Sequence, residues 1–127
     1  MADALNNARV SILIVDDEPS VGDGLRLILE SKGYEVVLVV TGLEGIEQAR
    51  TRRFGFIIVD LLLPDITGMQ VIREIHENQP ATPIVLISSQ GSPQMFAEAR
   101  MLGAIEALAK PFQPAEILTL ITTRWPQ

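Results

Sequence analysis

Three carboxylates, a hydroxyl and an ammonium group follow four short apolar runs in this sequence. The runs are residues 10–15, 56–59, 84–87 and 105–109. The polar side chains that follow them are, in chain order, Asp16, Asp17, Asp60, Ser88 and Lys110. Any one of them alone is readily explained as a helix cap or a loop residue, but their recurrence after successive apolar runs indicates a shared site.

Three neighbouring carboxylates would repel one another and therefore favour a cation. At ~4 Å and an effective dielectric constant near 20, each like-charged pair costs about 4 kcal/mol. Lys110 offsets one charge, and the remaining negative charge suits a divalent ion. Hard oxygen ligands, without histidine or sulfur nearby, favour Mg²⁺. A carboxylate beside Mg²⁺, a lysine and a hydroxyl could also accept a phosphoryl group and form an acyl phosphate.

The spacing of apolar residues predicts the elements that would bring these side chains together. We predict strands at residues 10–15, 35–40, 56–60, 83–88 and 105–109. Between them, apolar residues recur every three or four positions, as at Val21, Leu25 and Leu29, which indicates amphipathic helices. Asp65 and Thr67 have the chemistry of turn and cap residues. Alternating strands and helices predict an α/β fold with a parallel sheet, whose ligands bind beyond the carboxyl ends of the strands.

Length and composition exclude several classes of protein. The chain has 127 residues, of which 47% are hydrophobic and 20% charged, as expected for one globular domain. The absence of cysteine excludes disulfides and thiolate metal sites. A net charge of −6 argues against direct nucleic-acid binding. We expect a flexible N-terminal lead at residues 1–9, and no signal peptide or membrane span is evident, so a cytoplasmic protein without membrane contact is expected.

Four motifs surround the polar positions. They are IVDDEP at residues 14–19, DLLLPDITG at 60–68, Ser88, and Gly103-Ala104 leading to KPF at 110–112. Together they resemble the receiver domain of bacterial two-component response regulators, over essentially the whole chain. The resemblance implies a flavodoxin-like (βα)5 three-layer sandwich with five parallel strands in the order 2-1-3-4-5. We therefore expect a single receiver domain over residues 1–127, with any output domain absent from this chain.

The resemblance implies that Asp60 is the phosphoacceptor. It would take the phosphoryl group from a phosphohistidine of a sensor histidine kinase or of a histidine phosphotransfer protein. Asp16, Asp17, Asp60 and the backbone carbonyl of Leu62 would hold Mg²⁺. The chain would act as a signalling receiver and not as an enzyme, beyond its own phosphoryl transfer and slow autodephosphorylation.

The resemblance also implies how the domain would switch. Lys110 would bind a phosphoryl oxygen, and the hydroxyl of Ser88 would move toward the phosphoryl group. The surface shared by the fourth helix, fifth strand and fifth helix would then change and signal to an output domain or a partner protein. A homodimer is a further possible assembly. The family usually has an aromatic residue three positions before the lysine, where this chain has Ala107.

Two alternatives compete with this hypothesis: a binding module, and a hydrolase or flavin carrier built on a similar sheet. A binding module that keeps the fold but signals without phosphorylation is favoured only by Ala107 and opposed by the five intact polar positions. An aspartyl phosphohydrolase would require a second acid two residues after its nucleophile, where this chain has Leu62. A flavin carrier would require a glycine-rich phosphate loop after the first strand, where residues 18–20 read EPS.

Overall fold

Strands and helices alternate along the whole of the described chain. The computed structural model describes residues 10–124, so the predicted flexible lead at residues 1–9 lies outside the described residues. The elements are β1 (Ser11–Val15), α1 (Pro19–Ser31), β2 (Glu35–Val39), α2 (Gly42–Thr51), β3 (Phe56–Asp60), α3 (Gly68–Asn78), β4 (Ile84–Ser88), α4 (Pro93–Leu102), β5 (Glu106–Ala109) and α5 (Pro114–Arg124). The five predicted strands are confirmed with shifts of at most one residue at each end.

All strand pairs are parallel, and their order is β2-β1-β3-β4-β5, as predicted. The three inner strands β1, β3 and β4 are buried at every residue. This burial explains why their sequences are continuous apolar runs, since helices cover both faces of a parallel sheet. The fold is therefore the expected α/β three-layer sandwich.

Alternate side chains of each strand enter two separate cores. Leu13 and Val15 pack with apolar residues of α2, α3 and α4 on one face of the sheet. Ile12 and Ile14 pack with residues of α1 and α5 on the other face. The period of two in a strand produces this division, because successive side chains point to opposite faces. Within residues 10–124, no helix is both long enough and apolar enough to cross a membrane.

Local sequence determines where several helices begin and end. Thr67 accepts a hydrogen bond from the backbone of Gln70 at the start of α3, which confirms it as a cap residue. Gly103 ends α4 with a φ of 128°, a left-handed conformation that favours glycine. Asp65 caps a different helix from the one that follows it, because it accepts hydrogen bonds from Gly42 N at 2.8 Å and Leu43 N at 2.9 Å. The β3–α3 loop is thereby tied to the start of α2.

Candidate functional site

Strand register places the four predicted polar positions along one edge of the sheet. Val15 pairs with Val59, so Asp16 and Asp60 each lie one residue farther along adjacent strands. Asp60 itself pairs with Ile87, immediately before Ser88. Ser88 pairs with Ala109, immediately before Lys110. The carboxyl ends of β1, β3, β4 and β5 therefore carry Asp16, Asp60, Ser88 and Lys110, as the parallel topology requires.

The three aspartates form a compact acidic cluster. Asp16, Asp17 and Asp60 each offer a carboxylate oxygen, and these oxygens lie within 4.8 Å of one another. Asp16 and Asp60 are buried, whereas Asp17 is exposed. Oδ1 of Asp16 accepts a hydrogen bond from Glu18 N at 2.9 Å, while its buried Oδ2 has no hydrogen-bond partner among residues 10–124. Three hard oxygen donors, one of them without a hydrogen bond, fit a divalent cation such as Mg²⁺.

Lys110 crosses this cluster and contacts three acids. Its Nζ lies 3.3 Å from Oδ2 of Asp60 and 3.4 Å from Oδ2 of Asp16, and its side chain is only 8% exposed. The shortest contact, at 2.5 Å, is to Oε1 of Glu18. The peptide bond between Lys110 and Pro111 is cis.

The sequence analysis missed the role of Glu18 as a partner of Lys110. Glu18 is the N-cap residue of α1, but its side chain makes no capping hydrogen bond and extends to the ammonium group instead. The two residues are 92 positions apart in the chain. The available signal was its place directly after the two aspartates, at the same end of the sheet as Lys110.

The electrostatics of the cluster disfavour a charged Asp60. Burial, followed by the negative charge of Asp16, raises the pKa of Asp60 from 3.8 to about 6, although Lys110 acts in the opposite direction. Burial alone would lower the pKa of Lys110, but the hydrogen bond to Glu18 and the charges of Asp16 and Asp60 raise it above its ordinary value. Lys110 is therefore a cation, and Asp60 is the acid most strained by its surroundings.

Ser88 lies beside this cluster and is 1% exposed. Its Oγ accepts a hydrogen bond from Gln90 N at 3.0 Å, and its carbonyl accepts one from Lys110 N at 2.8 Å. Leu62 lies two residues beyond β3, with a half-exposed side chain. The role of its carbonyl as a metal ligand stays a prediction.

Residues 12–122 match the family model of the response regulator receiver domain. The chain belongs to this family. The transcriptional regulatory protein CusR of Escherichia coli (strain K12) is 34% identical to it over 114 residues, which cover 90% of this chain and 50% of CusR. This receiver domain spans about half the length of the curated relatives it matches.

Solved structures show the same fold. A CheY-like response regulator receiver domain protein from Methanospirillum hungatei has a TM-score of 0.86 and 29% identity, and the match covers 90% of this chain and 91% of that one. A response regulator from Burkholderia pseudomallei has a TM-score of 0.83 and 30% identity, over 89% of this chain and 66% of its own. That structure contains a phosphorylated aspartic acid, a calcium ion and citrate. The likeness identifies this chain as a signalling receiver of the two-component type.

Proposed function

We propose that this receiver domain accepts a phosphoryl group on Asp60 with Mg²⁺ bound. The observation that supports the proposal best is the convergence of three aspartate carboxylates with Lys110 at the carboxyl edge of the sheet. The phosphorylated aspartate and calcium ion of the Burkholderia pseudomallei relative support the same chemistry. The donor would be a phosphohistidine of a sensor histidine kinase or of a histidine phosphotransfer protein, in the cytoplasm.

In the proposed transfer, a carboxylate oxygen of Asp60 attacks phosphorus. The new P–O bond forms while the P–N bond of phosphohistidine breaks, and the imidazole nitrogen keeps the electron pair and takes up a proton. A pKa of about 6 leaves Asp60 mainly ionised at neutral pH, as a nucleophile must be. Lys110 already contacts Asp60 and would bind a phosphoryl oxygen from that position.

The remaining site residues have distinct proposed roles. Asp16, Asp17 and Asp60 would hold Mg²⁺ together with the carbonyl of Leu62. When bound, the ion supplies positive charge that neutralises the phosphoryl oxygens. Ser88 would donate its hydroxyl hydrogen to a phosphoryl oxygen. The apolar side chain of Leu62 can neither hold nor activate a water molecule, so hydrolysis of the acyl phosphate should be slow.

The output of the domain would depend on a second surface. We propose that phosphorylation changes the face formed by α4, β5 and α5, and that an output domain or partner protein binds there. We also propose that residues 1–127 form a single receiver domain.

Incubation with acetyl phosphate and Mg²⁺ tests the proposed phosphoacceptor. The protein should gain the mass of one phosphoryl group, and hydroxylamine should remove it because the bond is an acyl phosphate. Asp60→Asn should abolish the adduct, and Lys110→Ala should reduce its yield while leaving the three aspartates in place. An adduct that persists in Asp60→Asn, or one that resists hydroxylamine, would overturn the assignment.

A further inference from the structure

Phe96, in the first turn of α4, packs its ring directly onto the loop between β4 and α4. A Cβ atom added to Gly91 of that loop would lie 1.9 Å from Cε1 and 2.6 Å from Cζ of Phe96. A Cβ atom at that position would have to displace the ring. The φ of Gly91 lies outside the left-handed region, so a larger residue here would disturb the ring of Phe96 and not the backbone conformation.

The same loop holds the hydroxyl of Ser88. Gln90 N, directly before Gly91, donates its hydrogen bond to Ser88 Oγ at 3.0 Å. The backbone segment from 90 to 91 therefore touches the buried hydroxyl at one end and the aromatic ring at the other. A shift of this segment toward the ring would displace the ring, because the two are too close for even one added carbon atom to fit between them.

The ring is also fixed to the start of α4. Phe96 N donates to the carbonyl of Ser92, and Met95 N donates to Ser92 Oγ, so the ring belongs to a capped helical turn. The core cluster against which Phe96 packs contains three small buried residues, Ala99, Ala104 and Ala107.

We propose that Phe96 is the positioning residue that couples the Ser88 hydroxyl to α4 in this chain, in which position 107 carries no ring. When Ser88 turns toward a phosphoryl group on Asp60, the segment from 90 to 91 shifts, the ring is displaced, and the first turn of α4 moves with it. This inference rests on the proposed phosphorylation of Asp60.

Beryllofluoride with Mg²⁺, a stand-in for the phosphoryl group, provides the test. Amide hydrogen exchange of α4 and beryllofluoride affinity are measured for the wild type, Phe96→Leu and the matched control Met95→Leu, which alters the neighbouring half-buried position. In the wild type and the control, beryllofluoride should change exchange in both the 88–91 segment and α4. In Phe96→Leu the change at 88–91 should remain, and the change in α4 should fall to less than half.

Affinity separates coupling from mere packing. If activation must displace the ring, its removal should tighten beryllofluoride binding about fivefold, whereas a purely structural residue would leave the affinity unchanged or weaken it. The inference would be overturned if beryllofluoride changed amide exchange in α4 of Phe96→Leu as much as in the wild type. Unchanged or weaker beryllofluoride affinity in Phe96→Leu would overturn it as well.

A second variant covers the case in which Phe96→Leu fails to fold. Gly91→Ala should push the ring away and raise exchange in α4 without beryllofluoride, and unchanged exchange there would equally contradict the inference. Acetyl phosphate should still give the hydroxylamine-labile adduct in every variant. Loss of that adduct in the wild type would refute the proposed function itself, which keeps the two failures distinct.

Discussion

Replacing Asp60 with asparagine should stabilise the metal-free domain at neutral pH. Burial and the charge of Asp16 raise the pKa of Asp60 from 3.8 to about 6, so folding opposes its ionised form. A rise of roughly two in pKa corresponds to about 3 kcal/mol. Solvent at the open side of the cleft, where Asp17 is exposed, screens part of this free-energy cost. The destabilisation that remains is about 1–2 kcal/mol. Asparagine has a similar shape and removes the charge.

The sign of the effect gives it a definite pH dependence. Because the folded-state pKa lies above the unfolded value, the unfolded chain loses its proton first as the pH rises. The wild type therefore loses stability relative to Asp60→Asn as the pH rises from 3.8 to about 6. The two proteins should have nearly equal electrostatic stability below this window, and the full difference should be present above it.

Urea and thermal unfolding in EDTA measure this difference. At about pH 7.5, Asp60→Asn should melt about 3–10 °C above the wild type, and the gap should shrink near pH 4. Asp23→Asn is a suitable control, since Asp23 is exposed and pairs with Arg26 at 3.6 Å, away from the cleft. Mg²⁺ should narrow the gap by binding the wild type more tightly. A variant less stable than the wild type at pH 7.5, or a gap that is independent of pH, would refute the reasoning.

Two further predictions follow from contacts at the helix starts. Glu18→Gln weakens the shortest contact of Lys110 and should speed the acetyl phosphate reaction about two- to fivefold, whereas a slower reaction would mean that Glu18 positions Lys110 productively. Thr67→Ala removes the acceptor for Gln70 N at the start of α3 and should lower the free energy of unfolding by about 1 kcal/mol in urea titrations. Thr123→Ala, at an exposed position of α5, should leave the free energy of unfolding nearly unchanged. An equal loss of stability in both variants would contradict a capping role for Thr67.

The positions of the site residues were predictable because they depend on backbone topology. Once the apolar runs are identified as parallel strands, the residues that follow them lie at the same edge of the sheet. Asp16, Asp60, Ser88 and Lys110 needed no knowledge of side-chain direction to be placed there, and the observed register confirms their placement. The proposed roles of these residues remain predictions for the phosphorylation experiment.

The contacts that the sequence did not reveal depend on side-chain direction across long separations. Glu18 contacts Lys110, which lies 92 positions later in the chain, and Asp65 accepts a hydrogen bond from the backbone at the start of α2. Burial within the acidic cluster is equally invisible in the sequence, where adjacent Asp16 and Asp17 are identical residues. The structure buries the first and exposes the second, and the charge of the buried Asp16 is one of the causes that raise the pKa of Asp60.

The charge of the cleft explains why cation binding and phosphorylation should depend on each other. Lys110 contacts Glu18 and two of the three clustered aspartates, so the ionised cleft has a clear excess of negative charge. A phosphoryl group on Asp60 would add further negative charge at the same place. In the proposed function, a divalent ion must offset that addition, and by thermodynamic linkage the phosphorylated domain must then hold the ion more tightly than the unphosphorylated one. In the proposed function, the ion needed for phosphorylation would thus also offset the negative charge that opposes ionisation of Asp60 in the metal-free domain.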